Sequence, residues 1–271
     1  MKHFELSDRV IVITGGAGLL GRKHAEAIAA GGGTPVIVDL DGVRALDAAN
    51  EIAEVHDVQT SAFAADITDP LSVYGLLDEV LERHGRLDGL INNAANNPKV
   101  EGDGRAFSRL ENFQLSQWSA DVAVGLTGAF LCSQVLGGHL ASQGHGVIVN
   151  ISSEYGMLGP DQRLYHRPGI PEHEQSAKPI SYSVVKAGID GMTRWLATYW
   201  AQVGVRVNTL TVGGVENGQP EDFVARAASR VPLGRMARPD DYEGAVIFLL
   251  SDASSFMTGA NLVVDGGKST W

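Results

Sequence analysis

The chain has 271 residues, of which 44% are hydrophobic and 20% are charged, and its formal net charge is −11. This balance is typical of a soluble globular protein, and the negative charge argues against a general nucleic-acid-binding surface. The single cysteine, Cys132, excludes an intrachain disulfide and argues against a thiolate metal cluster. The amino terminus lacks the apolar segment of a signal peptide, and no apolar run approaches membrane-spanning length. We therefore expect a cytoplasmic protein with no membrane partner and no metal site.

Strand-like and helix-like patterns alternate along the chain. Short β-branched runs predict strands at Val10–Ile13, Val36–Val38, Leu87–Ile91, Val147–Ile151, Val205–Leu210 and Leu262–Val264. Helices are predicted at roughly 19–31, 42–56, 70–84, 116–142, 181–203 and 240–251. Apolar strands that alternate with helices indicate a parallel sheet covered on both faces. The sequence thus predicts one doubly wound α/β domain of the Rossmann type over residues 1–271.

The first predicted strand leads directly into a glycine-rich turn, Thr14–Gly21, which a helix follows. Glycines at such a turn let the backbone approach a pyrophosphate, which then lies at the amino end of the helix. Asp39 closes the second strand, where a carboxylate can hydrogen-bond an adenosine ribose and repel a 2′-phosphate. Arg22 and Lys23 follow the turn and would suit such a phosphate. These residues predict a dinucleotide site that favours NAD over NADP, with a simple turn-capping role as the alternative for Asp39.

Tyr182 and Lys186 begin the predicted helix 181–203 and lie four residues apart, so their side chains share a helix face. A cation beside a phenol favours the phenolate, and the spacing therefore predicts a lowered pKa for Tyr182. Such a tyrosine would donate and accept a proton near neutral pH. The alternative is an exposed pair with no function.

Taken together, these patterns resemble the short-chain dehydrogenase/reductase family over nearly the whole chain. Thr14–Gly21 resembles the family's glycine motif, and Asp66 resembles its adenine-contacting acid. Further matching segments are Asn92–Ala95, Val149–Ser153, Tyr182–Lys186, Pro232–Arg235, Phe248–Asp252 and Val264–Gly267. The resemblance implies an NAD-dependent oxidoreductase that transfers a hydride between nicotinamide and a secondary alcohol or ketone.

The resemblance also implies a role for each matching residue. Tyr182 would exchange a proton with the substrate oxygen, Ser153 would hydrogen-bond that oxygen, and Lys186 would hold the nicotinamide ribose. Tyr155 lacks a lysine four residues later, so Tyr182 is the better catalytic candidate. The implied cofactor-binding residues are Gly15, Gly18, Leu20, Gly21, Asp39, Asp66, Ile67, Asn93, Ala94, Tyr182, Lys186, Gly213, Val215 and Asn217. For Asn93, a purely structural role is an equal alternative.

The sequence departs from the family pattern at several points. Leu19 stands at the middle glycine of the turn. Gly125 stands where many members carry an asparagine that supports a water relay to the lysine. Asn217 replaces a common nicotinamide-contacting threonine, and its amide can make comparable hydrogen bonds.

The segment Met157–Pro179 makes the distance from Ser153 to Tyr182 longer than is usual in the family, and it reads as an insertion at about 157–180 over the substrate site. Its many polar side chains, with Arg163, His166 and Arg167 as substrate candidates, indicate a hydroxylated or phosphorylated substrate. A solvated loop or a subunit contact is the alternative. A His166/His173 metal site is improbable.

A second resemblance, to bacterial flagellin-modification oxidoreductases, implies a substrate related to nonulosonic sugars. It rests on Thr14–Gly21, Asn97–Lys99, the long loop 157–180 and Gly213–Pro220. Two other functions stay open: a non-catalytic dinucleotide sensor or scaffold, and a dehydrogenase for an apolar alcohol or acyl substrate. The family's equivalents of helices 116–142 and 181–203 pair subunits, which implies a homodimer or homotetramer.

Overall fold

The computed structural model describes residues 2–97, 100 and 108–271. In that part of the chain, seven parallel strands form one sheet in the order β3-β2-β1-β4-β5-β6-β7. The strands are β1 (Val10–Thr14), β2 (Thr34–Asp39), β3 (Ser61–Ala64), β4 (Gly89–Asn92), β5 (Gly146–Ser153), β6 (Val205–Val212) and β7 (Asn261–Val264). The strand order reverses between β1 and β4, and a crevice opens there at the carboxyl ends of the strands. The predicted doubly wound fold is confirmed.

Helices cover both faces of the sheet. They are α1 (Leu19–Ala30), α2 (Gly42–His56), α3 (Pro70–His84), α4 (Leu115–Val122), α5 (Ala129–Cys132), α6 (Gly138–Gln143), α7 (Ile180–Trp200), α8 (Glu221–Ala228) and α9 (Glu243–Leu250). Two π-helical turns, Ala123–Gly128 and Ser133–Gly137, join α4, α5 and α6 into one continuous helix. Such turns are rare and occur often beside functional sites.

The core consists of two apolar layers, one on each face of the sheet. Successive strand residues point to opposite faces, so Ile11 and Ile13 of β1 join one layer and Val10 and Val12 join the other. The first layer packs under α1, α2 and α9, and the second packs under α3, the α4–α6 helix and α7. Because all the strand pairs are parallel, the carboxyl ends of the strands lie at the same edge of the sheet.

The sequence patterns did not predict strand β3 or helix α8. Strand β3 reads Ser61-Ala62-Phe63-Ala64 and contains no β-branched residue, so it gives no strand pattern. Helix α8 follows Gly218 and Pro220 in a segment that reads as a loop. Its apolar residues serve a small separate cluster rather than either main layer.

The continuous helix Leu115–Gln143 is long and apolar enough to cross a membrane by length and composition alone, contrary to the sequence expectation. Half of its most apolar window is buried inside the domain. Cys132, Leu136 and Leu140 are among its buried residues and belong to the second core layer. Its apolar composition therefore reflects packing against the sheet, which is the usual origin of such a helix in a soluble fold.

Candidate active site

A cavity of about 590 Å³ lies at the carboxyl ends of the strands, in the crevice between β1 and β4. It brings together most of the predicted site residues from segments far apart in sequence. Those that line it are Gly15, Gly18, Leu20, Asp39, Asp66, Ile67, Asn93, Ala94, Ser153, Tyr182, Gly213, Val215 and Asn217. Gly21 and Lys186 lie behind this lining, and both are buried.

The glycine turn is built of bare backbone. Gly15 has a φ of +61°, and a Cβ there would lie 2.9 Å from the Ala94 Cα. A Cβ at Gly21 would lie 2.2 Å from the Gly15 carbonyl oxygen, so no larger residue fits. Leu19 is the first residue of α1, is 42% exposed and lines the cavity, so this departure from the family pattern adds an apolar side chain to the cavity wall. The turn keeps the close backbone approach that a pyrophosphate requires.

Asp39 ends β2 beside this turn. Its carboxylate accepts hydrogen bonds from the Ala17 N–H at 3.2 Å and the Asp41 N–H at 3.3 Å. Arg22 pairs with Glu51 and Lys23 pairs with Glu26, and neither basic residue lines the cavity. The sequence reading overlooked a different basic group, Arg44 of α2, which donates to the Ala17 carbonyl at 3.1 Å.

Asp66 and Asn93 hold neighbouring loops in place. Asp66 Oδ1 accepts from the Thr68 N–H at 2.9 Å and the Thr68 hydroxyl at 2.7 Å, which lowers the pKa of Asp66. Asn93 Nδ2 donates to the carbonyls of Thr14 at 2.9 Å and Gly15 at 3.1 Å. Asn93 thus ties the end of β4 to the glycine turn, and this structural role accounts for its hydrogen bonds.

On the other side of the cavity, the segment after β6 contributes Gly213, Val215 and Asn217. The Tyr242 hydroxyl donates to the Gly213 carbonyl at 3.2 Å from a fully buried position. The Asn217 N–H donates to Gln219 Oε1 at 2.6 Å. These contacts fix the backbone of this segment against the cavity.

Ser153 and Tyr182 lie together in the cavity lining, and Lys186 lies behind Tyr182. Ser153 is the last residue of β5, and Tyr182 lies in the first turn of α7. The Ser153 hydroxyl accepts from the Tyr155 N–H at 3.3 Å and acts on the neighbouring Tyr182 hydroxyl, whose pKa it lowers. The Lys186 ammonium donates to the Ile151 carbonyl at 2.8 Å and lies 5.9 Å from the centroid of the Tyr182 ring. The structure therefore joins the three predicted catalytic residues.

The predicted lowering of the Tyr182 pKa is wrong for this structure. Burial is the largest effect and raises the pKa of Tyr182, and the neighbouring Glu154 raises it further, while the Ser153 hydrogen bond opposes both. Burial and the charge of Lys178 lower the pKa of Lys186 to about 8. Lys186 is itself desolvated and held by a backbone carbonyl, which the helical spacing alone does not reveal.

A second lysine, Lys178, flanks the same tyrosine. Its ammonium lies 3.9 Å from the centroid of the Tyr182 ring and donates to Asn97 Oδ1 at 2.7 Å. Lys178 is 9% exposed and lines the cavity. The sequence reading did not assign it to the site, although it precedes Tyr182 by the same four residues by which Lys186 follows. Pro98 and Lys99, next to Asn97, lie outside the described residues.

Gly125 is buried in the first π-helical turn, against Val185 of α7. A Cβ at Gly125 would lie 2.6 Å from the Val185 Cγ1 atom. The space of an asparagine side chain is therefore filled by Val185, and the helix can approach α7 only because this residue is glycine.

The predicted substrate residues Arg163, His166 and Arg167 do not line the cavity. The Arg163 side chain is 81% exposed and pairs with Asp161. His166 lies 3.6 Å from Glu172, and the Arg167 backbone bonds to the Gln175 side chain at 2.8 and 2.9 Å. Asp161 and Glu172 engage Arg163 and His166 within the loop, so the structure does not bring the three predicted substrate residues to the cavity, and their role in substrate binding stays a prediction.

The same loop contributes apolar residues to the cavity instead. Leu164 and Tyr165 are buried and pack with Phe223 of α8 and Met236. The rings of Tyr165 and Phe223 are 5.7 Å apart. One wall of the cavity is therefore apolar, which the polar composition of segment 157–180 conceals.

A buried ion pair lies at another part of the wall. Glu154, directly after Ser153, pairs with Lys268 from the segment after β7, and both residues line the cavity. The Lys268 ammonium also lies 3.4 Å from the Tyr155 hydroxyl. The sequence reading missed this pair because its members are 114 positions apart. In the described part of the chain, no group of three or more His, Cys, Asp or Glu residues is placed to hold a metal ion.

Comparison with known proteins gives two family matches that together span most of the chain. Residues 9–165 match the model described as short chain dehydrogenase, and residues 171–269 match the model described as Enoyl-(Acyl carrier protein) reductase. Cis-4-hydroxycyclohexanecarboxylate dehydrogenase of Sinomonas cyclohexanicum is 35% identical over 268 residues, which cover 96% of each chain. Post-translational flagellin modification protein A of Campylobacter coli is 27% identical, over 97% of this chain and 98% of that protein.

A solved structure resembles the whole fold. The gluconate 5-dehydrogenase of Burkholderia cenocepacia, in complex with NADP and tartrate, superposes with a TM-score of 0.84 at 28% identity. The match covers 99% of this chain and 98% of that chain.

Proposed function

The chain belongs to the short-chain dehydrogenase/reductase family, and we propose that it transfers a hydride between NAD and the carbon of a secondary alcohol or ketone. One observation carries this proposal. Ser153 and Tyr182 line the same cavity as the glycine turn and Asp39, and the Lys186 ammonium lies 5.9 Å from the centroid of the Tyr182 ring. A cofactor-binding scaffold would need the turn and Asp39, but it would have no use for the three polar groups around Tyr182. This argues against the non-catalytic alternative.

The residues present fit a dinucleotide, because the bare backbone of Gly15 and Gly21 leaves room for a pyrophosphate at the amino end of α1. Leu20, Asp66, Ile67 and Ala94 would contact the adenosine half, and Gly213, Val215 and Asn217 would contact the nicotinamide half. The nicotinamide supplies the hydride acceptor or donor.

Proton transfer falls to the chain's own residues. The Tyr182 hydroxyl would give its proton to a ketone oxygen during reduction, or take one from an alcohol during oxidation. The Ser153 hydroxyl would donate a hydrogen bond to that oxygen and hold it against Tyr182. The Lys186 ammonium would hold the ribose hydroxyls and favour the phenolate as the proton leaves.

Asp39 supports NAD as the preferred cofactor. A carboxylate at the end of β2 accepts hydrogen bonds from a ribose and repels a 2′-phosphate. Arg22 and Lys23 are engaged in ion pairs with Glu51 and Glu26 and do not line the cavity. Another basic residue, Arg44, hydrogen-bonds the glycine turn itself, at the Ala17 carbonyl.

For the substrate, we retain a sugar-like secondary alcohol or ketone, in free, phosphorylated or nucleotide-linked form. The charged groups Glu154, Lys178 and Lys268 in the cavity support a hydroxylated substrate. A named gluconate 5-dehydrogenase among the structural relatives agrees with this class. The apolar wall of Leu164, Phe223 and Met236 favours the second candidate, a more apolar alcohol such as a substituted cyclohexanol.

We also propose a homodimer or homotetramer in the cytoplasm. The α7 helix, which pairs subunits in the family, carries Trp195 at 60% and Tyr199 at 64% exposure, with their rings stacked 4.7 Å apart. Large exposed aromatic groups of this kind are common in subunit contacts. Light scattering during size-exclusion chromatography measures the assembly directly.

The test of the enzymatic proposal is NADH oxidation with a panel of ketones. The panel contains free, phosphorylated and nucleotide-linked keto-sugars together with substituted cyclohexanones, and NADPH is assayed in parallel. Turnover of any ketone that disappears in Tyr182→Phe supports the proposal. Tight NADH binding without turnover on the whole panel would favour the dinucleotide sensor.

A further inference from the structure

Asp121, near the carboxyl end of α4, is a buried carboxylate outside the cavity lining. It is 4% exposed. Its Oδ2 atom accepts from the Ser181 hydroxyl at 2.5 Å, and its Oδ1 atom accepts from the Gln117 side-chain amide at 2.8 Å. Ser181 is fully buried and lies in the first turn of α7, directly before Tyr182. The carboxylate therefore joins α4 to the helical turn that carries the proton-transferring phenol.

The amino end of α7 has little else of its own to hold it. The first N–H groups of a helix have no partner inside the helix, and a capping side chain often binds them. Over residues 179–183, all of which the structure describes, α7 has neither a side-chain cap at Pro179 nor an acidic residue. A negative charge beside the amino end of a helix is favourable because of the helix dipole. Asp121 supplies such a charge from another helix, and its bond to Ser181 holds this end of α7.

A second contact between the same two segments lies four residues further along each of them. Gly125 follows Asp121 by four residues, Val185 follows Ser181 by four, and a Cβ at Gly125 would lie 2.6 Å from the Val185 Cγ1 atom. Residues four apart lie on one face of a helix, so the polar contact and the close contact fall on the same side of α7. Tyr182 lies between them in the chain. Together the two contacts fix the rotation of α7 about its axis, which sets the direction of the Tyr182 phenol.

We propose that Asp121 is a positioning residue for Tyr182, which it holds in place through the hydroxyl of Ser181. This inference rests on the proposed dehydrogenase function and adds to it a residue that touches neither cofactor nor substrate. A displacement of about 1 Å from the productive geometry can cost about 10²-fold in rate. Loss of the bond should therefore lower kcat. The affinity for NADH should be kept, because the glycine turn and Asp39 lie on other elements.

The experiment is a double-mutant cycle on kcat with Asp121→Leu, Ser181→Ala and the variant that carries both changes. Each single change removes one partner of the bond, so each should lower kcat by about 10-fold to 100-fold. The double variant should lose no more than the worse single variant, since the same bond cannot be lost twice. Fluorescence titration should give NADH dissociation constants within about threefold of the wild-type value. Ser181→Ala tests the bond by itself if Asp121→Leu does not fold.

Asp121→Asn is the conservative variant. Its amide can donate to the Ser181 hydroxyl oxygen and accept from Gln117, so kcat should return to within about threefold of the wild-type value. Asp88→Leu is the matched control, because Asp88 is also a buried aspartate, 8% exposed, and accepts from the Val10 N–H at 2.8 Å outside the cavity lining. It should lower Tm and leave kcat unchanged at temperatures where the protein stays folded.

Three results would overturn the inference. The first is an unchanged kcat in Ser181→Ala, and the second is a pair of single losses that multiply in the double variant. The third is a loss in Asp121→Asn or Asp88→Leu as large as that in Asp121→Leu, which would make the effect one of general destabilisation.

Failure of the proposed function has a different signature. Wild-type protein without turnover of any ketone of the panel would refute the dehydrogenase proposal, and the Tyr182 ring would then report its own position. In protein labelled with ¹³C at the tyrosine Cζ atoms, the NMR signal that disappears in Tyr182→Phe belongs to Tyr182. This signal should shift in Asp121→Leu and Ser181→Ala and stay in place in Asp88→Leu. A signal that does not move in either of the first two variants would overturn the inference.

Discussion

The Lys178 ammonium lies 3.9 Å from the centroid of the Tyr182 ring. Its charge is also one cause of the low pKa of Lys186, about 8. A like charge disfavours the protonated form of an amine, so its removal should raise that pKa. If ionisation of Lys186 controls kcat/KM, the corresponding inflection should lie at higher pH in Lys178→Met than in the wild type. A pH profile measured from pH 6 to 10 would reveal the shift.

Lys23→Met is the control for this change, because Lys23 pairs with Glu26 outside the cavity. Its profile should match that of the wild type. An identical inflection in Lys178→Met and the wild type would show that Lys178 does not act on Lys186.

Tyr182→Phe should lower kcat by about 10³-fold, since it removes the group that transfers the proton. The ring remains, so the NADH dissociation constant should stay within about threefold of the wild-type value. Tyr155→Phe is a matched control, because Tyr155 also lines the cavity and its hydroxyl lies 3.4 Å from the Lys268 ammonium. Equal losses of kcat in both variants would contradict the assignment of Tyr182. Fluorescence titration with NADH and steady-state kinetics measure the two quantities.

The three residues that the sequence predicts as catalytic lie close together in the structure because they are local or lie at strand ends. Tyr182 and Lys186 share one helix, and Ser153 ends a strand whose neighbours fix its position. The polar wall depends on Lys268, which reaches Glu154 from a distant segment. No periodic pattern encodes such a contact, since it arises only when β5 and the segment after β7 are placed side by side.

The side chains that segment 157–180 contributes to the cavity could not be predicted, for a related reason. Composition shows that Arg163 and His166 are polar, but it does not show that Asp161 and Glu172 engage them within the loop. Instead, the cavity is lined by the few apolar residues of the segment, among them Leu164. Burial of apolar surface, rather than the average polarity of the loop, decided its orientation.

Asp39→Ser should reduce the preference for NAD over NADP by about tenfold or more, which corresponds to about 1.4 kcal/mol. The serine removes the charge that repels a 2′-phosphate and leaves Arg44 close to the turn. Asp41→Ala is the control, because Asp41 caps α2 through the N–H groups of Val43 and Arg44 and does not line the cavity. The ratio of kcat/KM for the two cofactors is the measurement, and an unchanged ratio in Asp39→Ser would count against the role of Asp39.

Gly125→Ala should destabilise the protein by about 1–3 kcal/mol, because its Cβ would overlap Val185 in a closely packed helix contact. Gly138→Ala lies in the same continuous helix, where a Cβ meets nothing within 4 Å. That control should be neutral or stabilise the helix by up to about 1 kcal/mol. Urea denaturation compares the two variants, and equal stabilities would refute the packing argument.

His24 is fully buried on α1, and burial lowers its pKa from 6.5 to about 4. Between these pH values the unfolded chain binds more protons than the folded chain, so stability falls as pH falls. The loss reaches about 3 kcal/mol at about 1.4 kcal/mol for each pH unit. His24→Leu should remove this part of the acid dependence, and denaturation at pH 4 and pH 7 would detect it. His173→Asn, whose side chain is 80% exposed, should keep the wild-type slope.

The ion pair between Glu154 and Lys268 has a consequence for motion. Among the strands that the structure describes, β7 pairs with β6 alone. After β7, Asp265 holds the following turn by accepting from the N–H groups of Gly267 and Ser269. If this edge of the sheet opened, Lys268 would move away and leave the buried Glu154 carboxylate without its ion pair. A molecule that fills the cavity, which both residues line, should therefore hold this edge closed as well. Amide hydrogen exchange in β7 should slow when the cavity is occupied, although β7 itself lies outside the cavity lining.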